Sequence, residues 1–419
     1  MLKIHQFMLN LADNKPERFL LVCFMIFLFA STFSIALSQS ALGFSLGAFF
    51  YIVYKGSPQV RLGHIRYIIW GAVIWTVWLM TTTIIGGHSP WLDREEWLIA
   101  IVPMAAWLLR REGRLRLFMT VFAFGMIVMG IYGLIQYFTG VSLFSSRTLD
   151  PAPRFGWRVM GTFAGLVTFG NVFGLLTTTF AGYLLGVFDT LGKKLKLLFI
   201  AALSLGGLVT ILSFRRASTG AVIMTLVLLA IIQGRRYRKA AVGLLLALVL
   251  AIILVPGISD PFVNRFNLDF GGTHFAGRVF IWKHVSRIIG EHPFFGVGDG
   301  NFEKEYIAQL DPNASFIYPV STAHNDFLHM TAISGFPGLV LFTGLWGLYL
   351  GLLWRGSRLR SMKDPESRAA FLAALGGTVC FLVISVFHGA WVDEEVRVML
   401  MVVWAIGLSG WLSDKRAVS

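Results

Sequence analysis

Apolar residues run along this chain in long blocks broken by short polar stretches. The blocks fall near residues 18–37, 39–54, 66–86, 95–109, 117–139, 161–187, 197–213, 219–233, 240–255, 336–354, 369–387 and 397–412. Crossing roughly 30 Å of hydrocarbon takes about 20 helical residues, and these blocks reach or approach that length. In lipid a chain must satisfy its own backbone polar groups, so such blocks predict α-helices. The pattern predicts an all-α polytopic membrane protein with about twelve transmembrane helices. Residues 1–255 would hold helices one to nine with short loops, 256–335 one long external loop domain, and 336–419 the last three helices and the C-terminal tail. The first block is followed by no small-residue cleavage site and predicts a retained signal anchor.

Composition agrees with this pattern. A hydrophobic content of 56%, only 14% charged residues over 419, and a mean hydropathy of +0.70 leave too little polar surface to cover a soluble globule. The net charge of +14 could point to nucleic acid, but its distribution follows the apolar blocks. With the N-terminus in the cytoplasm, the clusters Lys55/Arg61/Arg66, Arg110/Arg111/Arg114/Arg116, Lys193/Lys194/Lys196, Arg235/Arg236/Arg238/Lys239, Arg355/Arg358/Arg360/Lys363/Arg368 and Lys415/Arg416 share one face. Together with Lys3, Lys15 and Arg18 they make 24 of the 36 basic residues, against 7 of the 22 acidic ones. This positive-inside bias predicts both termini in the cytoplasm. The surplus charge then sets orientation and anchors anionic lipid head groups, and no nucleic-acid partner is expected.

The 12 basic residues left outside are Arg94, Arg147, Arg154, Arg158, Arg215, Arg216, Arg265, Arg278, Arg287, Arg397, Lys283 and Lys304. Arg outnumbers Lys 10 to 2 there, compared with 15 to 9 inside. Orientation needs only positive charge, so this preference points to planar, bidentate recognition of phosphate or carboxylate. Acidic neighbours or amphipathic context account for Arg94, Arg287 and Arg397. The stretch "ILSFRRASTG" puts Arg215 and Arg216 in the reversal between the seventh and eighth blocks. Paired guanidinium groups at a membrane boundary are costly without partners, and they either snorkel to lipid phosphates or grip an anionic ligand at the surface.

Within the long loop, "FAGRVFIWKHVSRIIGEHP" predicts an amphipathic helix with Val279, Trp282, Val285, Ile288 and Ile289 on its apolar stripe, ended by Pro293. It would lie along the membrane surface or roof a cavity, with Arg278 near its N-terminus, where the helix dipole favours an anion. Gly296, Gly298 and Gly300 in "FFGVGDGNF" read as a plain turn; a phosphate loop needs more than glycines.

No nucleophile elbow, Walker lysine loop, HExxH or dinucleotide fingerprint is present. Cys23 and Cys380 lie inside apolar blocks, which predicts no external disulfide and no thiol nucleophile. Asp393 to Glu395 in "WVDEE" could hold a divalent ion or be a solvated turn. His88, His274, His284, His292, His329 and His388 lack ligand-like spacing and read as structural. His324 differs because it opens "HNDFLHMTAISGFPG" at the boundary that Arg215 also reaches.

That last stretch resembles the pattern of O-antigen ligases: His, Asn or Ser, nine residues, Gly, two residues, Gly. Here it is His324 and Asn325, then Gly335 and Gly338. "FRRASTG" with Arg215 and "GRVFIWKHVSRIIGEHPFFGVGDGNF" with Arg278 are similar to the wider ligase and polymerase superfamily, so the resemblance spans roughly residues 205–350. It implies a membrane-embedded glycosyltransferase of the C type, acting at the periplasmic side of a Gram-negative inner membrane. Its donor would be O-antigen glycan on undecaprenyl diphosphate and its acceptor a sugar hydroxyl of lipid A core. His324 would be the general base, and Arg215 and Arg278 would hold the diphosphate. Arg216, Arg265, Arg147, Arg154, Arg158 and Asn325 would be further substrate contacts, and no cofactor or metal is expected. Gly335 and Gly338 would allow close helix approach beneath the site. A polymerase of the same superfamily, which would extend the glycan itself, and a transporter of lipid-linked glycans are the rival readings.

Overall fold

The computed structural model describes residues 12, 14–55, 65–89, 96–144, 148–152, 156–234, 273–310, 320–360 and 364–412. These form the helices α1 (Lys15–Ala30), α2 (Ile35–Tyr54), α3 (Ile65–Ile85), α4 (Ile101–Leu109), α5 (Arg114–Thr139), α6 (Leu166–Val187), α7 (Lys193–Leu212), α8 (Arg216–Gln233), α9 (Thr273–Glu291), α10 (Phe302–Ala308), α11 (Asp326–Arg360), α12 (Pro365–Phe387) and α13 (Glu394–Leu412). Among the described residues the extended backbone pairs only in one isolated bridge, Pro151 with Trp157. The protein is an all-α polytopic membrane protein. Eleven of the twelve predicted apolar blocks coincide with helices, and block 240–255 lies outside the described residues. Eight of these helices are long and apolar enough to cross a membrane; α1 has 16 residues, and α4 with its preceding turn is shorter still.

Helix starts differ systematically from the apolar blocks. The first two blocks are divided at Ser31–Ser34, earlier than hydropathy places the break, because the Ser34 hydroxyl caps α2 by accepting from the Leu37 N–H at 3.4 Å. Helix α11 begins at Asp326, so the last ten residues assigned to the external loop, 326–335, are its opening turns. Polar capping residues precede the apolar run in each case, and hydropathy registers only the latter.

The inner wall of the bundle is the pair α6 and α12. Small residues let their backbones touch: a Cβ on Gly182 would lie 2.1 Å from the Leu372 carbonyl oxygen, and one on Gly376 2.5 Å from that of Thr178. At the end of the bundle where α1, α5 and α12 start, Arg114 is fully buried and its guanidinium sits 2.8 Å from Glu17. Arg111 reaches the same carboxylate at 3.5 Å, and Arg116 pairs with Glu366 at 3.0 Å. Part of the basic cluster expected to mark orientation is therefore also a structural ion-pair network.

The opposite end is organised by a break in α11. Gly335 adopts φ +69°, and Pro337 removes the N–H that would have reached the Ile333 carbonyl. The turn after α9 fills the gap: Val297 N–H donates to Ala332 O at 2.9 Å, Gly298 N–H to Ile333 O at 3.0 Å, and Phe336 N–H to Pro293 O at 2.8 Å. Trp78 of α3 donates its indole N–H to Ser334 O at 2.9 Å. The glycine-rich "FFGVGDGNF" is thus a turn docked on a broken helix. Gly335 serves this docking, since a Cβ there would stand 2.0 Å from the Phe294 carbonyl oxygen.

Helix α9 packs on α11 and α10. Of the predicted apolar stripe Val285, Ile288 and Ile289 are buried, Trp282 is half-buried and Val279 is exposed; Ile281 and His284 are buried beside them, the His284 Nδ1 2.8 Å from the Phe280 carbonyl oxygen.

A Gly335→Ala variant combines left-handed strain with a backbone clash, and we expect it to destabilise the protein by roughly 2–6 kcal/mol. Thermal unfolding in detergent checks this, and a midpoint within about 1 °C of the parent, worth less than about 1 kcal/mol in a chain of this length, would contradict it.

Candidate active site

Arg215 occupies the N-cap of α8 with extended backbone and caps no amide with its side chain. A helix N-terminus normally carries an oxygen-bearing cap and favours negative charge. Here it carries Arg215 followed by the exposed Arg216, so cation adds to dipole. Gly170 on α6 lets this reversal sit close, its virtual Cβ lying 3.2 Å from the Arg215 Cβ. The buried Ser218 hydroxyl donates to Asn171 Oδ1 at 2.7 Å and locks α8 to α6.

The segment before α6 adds a further guanidinium. Val159 N–H donates to Leu212 O at 3.1 Å, which lays residues 157–160 against the end of α7 and brings Arg158 beside Arg215. Asp150 is 3.9 Å from Arg158 but itself mostly exposed.

Arg278 and Trp282 lie one turn apart on α9. The Trp282 indole N–H donates to Ala323 O at 3.0 Å, fastening α9 to the turn that carries His324 and putting Arg278 within electrostatic reach of that imidazole. Asn325 caps α11, its Oδ1 accepting from Leu328 N–H at 3.0 Å, while its Nδ2 donates to Val386 O at 3.0 Å. Its amide thus holds backbone at both ends. Asp326, fully buried, accepts from Trp391 N–H at 2.9 Å.

The electrostatics follow from this convergence. The Arg215 guanidinium has its pKa lowered by burial and by Arg158 and Arg278, against a smaller opposing pull from Asp150. Its Nε is buried and meets no hydrogen-bond acceptor among the described residues. Burial, then the Arg278 charge, lowers the pKa of His324 below its ordinary 6.5. A second imidazole belongs to the site: His388, at the end of α12, has its ring centre 6.1 Å from that of His324 with nearly parallel planes. Burial first, then His324, Arg278 and Arg215, push its pKa down to about 4.

Among the described residues the non-glycine positions with positive φ are Phe214 (54°) and His324 (50°). A bulky aromatic in that region is strained, and such strain collects at functional sites. Both positions adjoin or are site residues.

The structure therefore brings Arg215, Arg278, His324 and Arg158 together. Arg216 is at the same end but exposed. Arg147, Arg154 and Arg265 lie outside the described residues. The sequence reading took His388 as structural and did not single out Asp150; the signal for His388 was an imidazole at the boundary of a span, the same signal that marked His324. Of the acidic "WVDEE" residues, Asp393 and Glu395 stay together through a side-chain hydrogen bond and Glu394 turns away. Asp393 accepts from the Thr168 hydroxyl at 2.7 Å, and burial raises its pKa, opposed by that bond and reinforced by Glu395; Glu394 pairs with Gln39. Among the described residues no three His, Cys, Asp or Glu side chains gather as metal donors.

The class defined by this fold and site is a polytopic membrane protein with a cluster of guanidinium groups beside two imidazoles of lowered pKa at one end of the helix bundle. Residues 199–343, about a third of the chain, match the family model described as O-Antigen ligase. This segment contains Arg215, Arg278 and His324, and stops short of His388. No curated protein matches the chain.

Because the Arg278 charge opposes protonation of His324, Arg278→Gln is expected to raise the His324 pKa. NMR titration of ring-labelled histidine checks the sign; an unchanged or lower value would show that burial alone sets it.

Proposed function

We propose that this protein transfers O-antigen glycan from undecaprenyl diphosphate to a sugar hydroxyl of lipid A core, at the periplasmic side of a Gram-negative inner membrane. The observation that carries this reading is the convergence of Arg215 and Arg278 on a neutral His324 at a bundle end opposite the Arg111/Arg114/Arg116 cluster. The positive-inside bias assigns that cluster to the cytoplasm and the site to the far side, with both termini inside. A donor with a polyprenyl tail keeps its tail in the bilayer and its diphosphate at the interface, at the level of α8's first residues.

The reaction is one inverting displacement, as in membrane-embedded transferases of the C type. His324 accepts the proton of the acceptor hydroxyl while its oxygen bonds to the anomeric carbon. The bond from that carbon to the diphosphate breaks, and the electron pair leaves on undecaprenyl diphosphate. Arg215 and Arg278 neutralise the charge that grows there, which preorganised donors in a poorly hydrated site do well. Arg216, Arg158, Arg147, Arg154 and Arg265 are further contacts for donor or acceptor phosphates. Asn325 acts through backbone, fixing the His324 turn.

Reconstituted transfer from lipid-linked glycan to lipid A core tests the reading. His324→Ala should slow it about 10²- to 10⁴-fold. Arg215→Lys and Arg278→Lys keep charge but lose the planar fork, and each should cost roughly 10- to 100-fold. Near-normal rates in both lysine variants would overturn bidentate recognition, and longer lipid-linked glycan formed without lipid A core would make the protein a polymerase.

Because the base must be neutral and its pKa lies below 6.5, kcat/KM should be level through neutral pH and fall only on acidification below that value. A fall beginning above pH 7 would exclude His324 as the base. Since guanidinium groups supply the charge, transfer should persist in EDTA; strict dependence on Mg²⁺ or Mn²⁺ would shift the assignment to Asp393 and Glu395.

A further inference from the structure

His388 lies beyond the family-matched segment, on the loop joining α12 to α13. Its placement is nonetheless dictated by the two residues that follow His324. Asn325 Nδ2 donates to the carbonyl of Val386, two residues before His388, and Asp326 accepts from the N–H of Trp391, three residues after it. The loop is pinned on both flanks of the imidazole. Thr322 packs on the same loop, its Oγ1 3.3 Å from a virtual Cβ on Gly389. The His324 turn and the His388 loop therefore form one rigid unit holding two rings with centres 6.1 Å apart and planes 19° from parallel.

This is unlike the core histidine His284, whose ring is satisfied by the Phe280 carbonyl. Among the described residues no protein hydrogen bond contributes to the His388 or His324 ring. Ring centres at this spacing let one nitrogen of each ring reach the same oxygen at roughly 2.7–3.2 Å. Burial first, and then the cations around them, disfavour the charged form of both imidazoles, and a neutral imidazole has one donor and one acceptor nitrogen. A hydroxyl needs that complement: one group to accept its proton and one to donate to its oxygen.

We infer that His388 is an acceptor-binding residue, donating a ring N–H to the oxygen of the hydroxyl whose proton His324 accepts. The pairing aims the O–H bond at His324 and leaves an oxygen lone pair for the anomeric carbon. This assignment rests on the transfer reaction proposed above, and it places the acceptor on the α12 side of His324, with the donor diphosphate on the α8 and α9 side.

The test is steady-state transfer with lipid-linked glycan as donor and lipid A core as acceptor, varying each in turn. His388→Ala should lower kcat/KM for the acceptor about 5- to 100-fold, the worth of a hydrogen bond lost at a buried polar partner. The donor KM should stay within about twofold, because no donor contact is removed. His388→Gln, which retains an N–H donor, should recover part of the acceptor loss, and the thermal midpoint of both variants should match the parent. Parental acceptor kinetics in His388→Ala would overturn the inference. So would a loss shared equally by donor and acceptor, the mark of a loosened loop. Absence of transfer by the unsubstituted protein would overturn the proposed function, and this inference with it.

Discussion

The site depends on keeping guanidinium groups together where water is scarce. Desolvating a cation beside other cations is unfavourable twice over, through lost hydration and through mutual repulsion. The protein shows two answers to this problem. At the end bearing Arg114, a fully buried guanidinium is given a buried carboxylate at 2.8 Å and a backbone carbonyl at 2.8 Å. At the other end Arg215 shares its surroundings with Arg158 and Arg278, and the nearby carboxylate, Asp150, is 3.9 Å from Arg158 and largely in solvent. An ion pair of that kind contributes little. The first arrangement is a structural solution; the second, on the proposed function, would leave charge on Arg215 for the donor diphosphate to offset.

Such a site needs stiff support, because relaxation would let the cations drift apart. The broken α11 receives the 293–298 turn on its freed carbonyls, and Asn325 and Asp326 tie the start of the same helix to the loop after α12. The left-handed backbone of His324 is held between these contacts, since Asn325 and Asp326 directly follow it. Rigidity at this end is built from backbone hydrogen bonds made by side chains, which hold position better than apolar contact alone.

The fold class was legible because hydrocarbon imposes one solution on a long apolar run, whereas helix starts were not, because Ser34, Asn325 and Asp364 cap through polar side chains that hydropathy discounts. The site was half legible. Arg215 and His324 stood out as ionisable groups at span boundaries, and Arg278 as a cation opening an amphipathic helix. His388 carried the same boundary signal but had no neighbouring pattern to raise it, since what makes it part of the site is tertiary: the clamp from Asn325 and Asp326. The glycines of "FFGVGDGNF" and Gly335 likewise looked like unrelated turns, and only their docking explains both.

Cation field and base are coupled in sign. The charge of Arg278 that attracts an anion also disfavours the imidazolium of His324. On the proposed function, a bound diphosphate would offset that charge and so raise the basicity of the imidazole when a proton is to be taken. Linkage makes the relation reciprocal, since an imidazolium in turn adds to the field that holds the diphosphate. On the same reading the base would be weak until a donor arrives, which would disfavour activation of the acceptor before the donor is in place. Proton transfer and leaving-group stabilisation would then be two effects of one group of charges, so that the spacing of Arg215, Arg278 and His324 would matter more than the pKa of any of them alone.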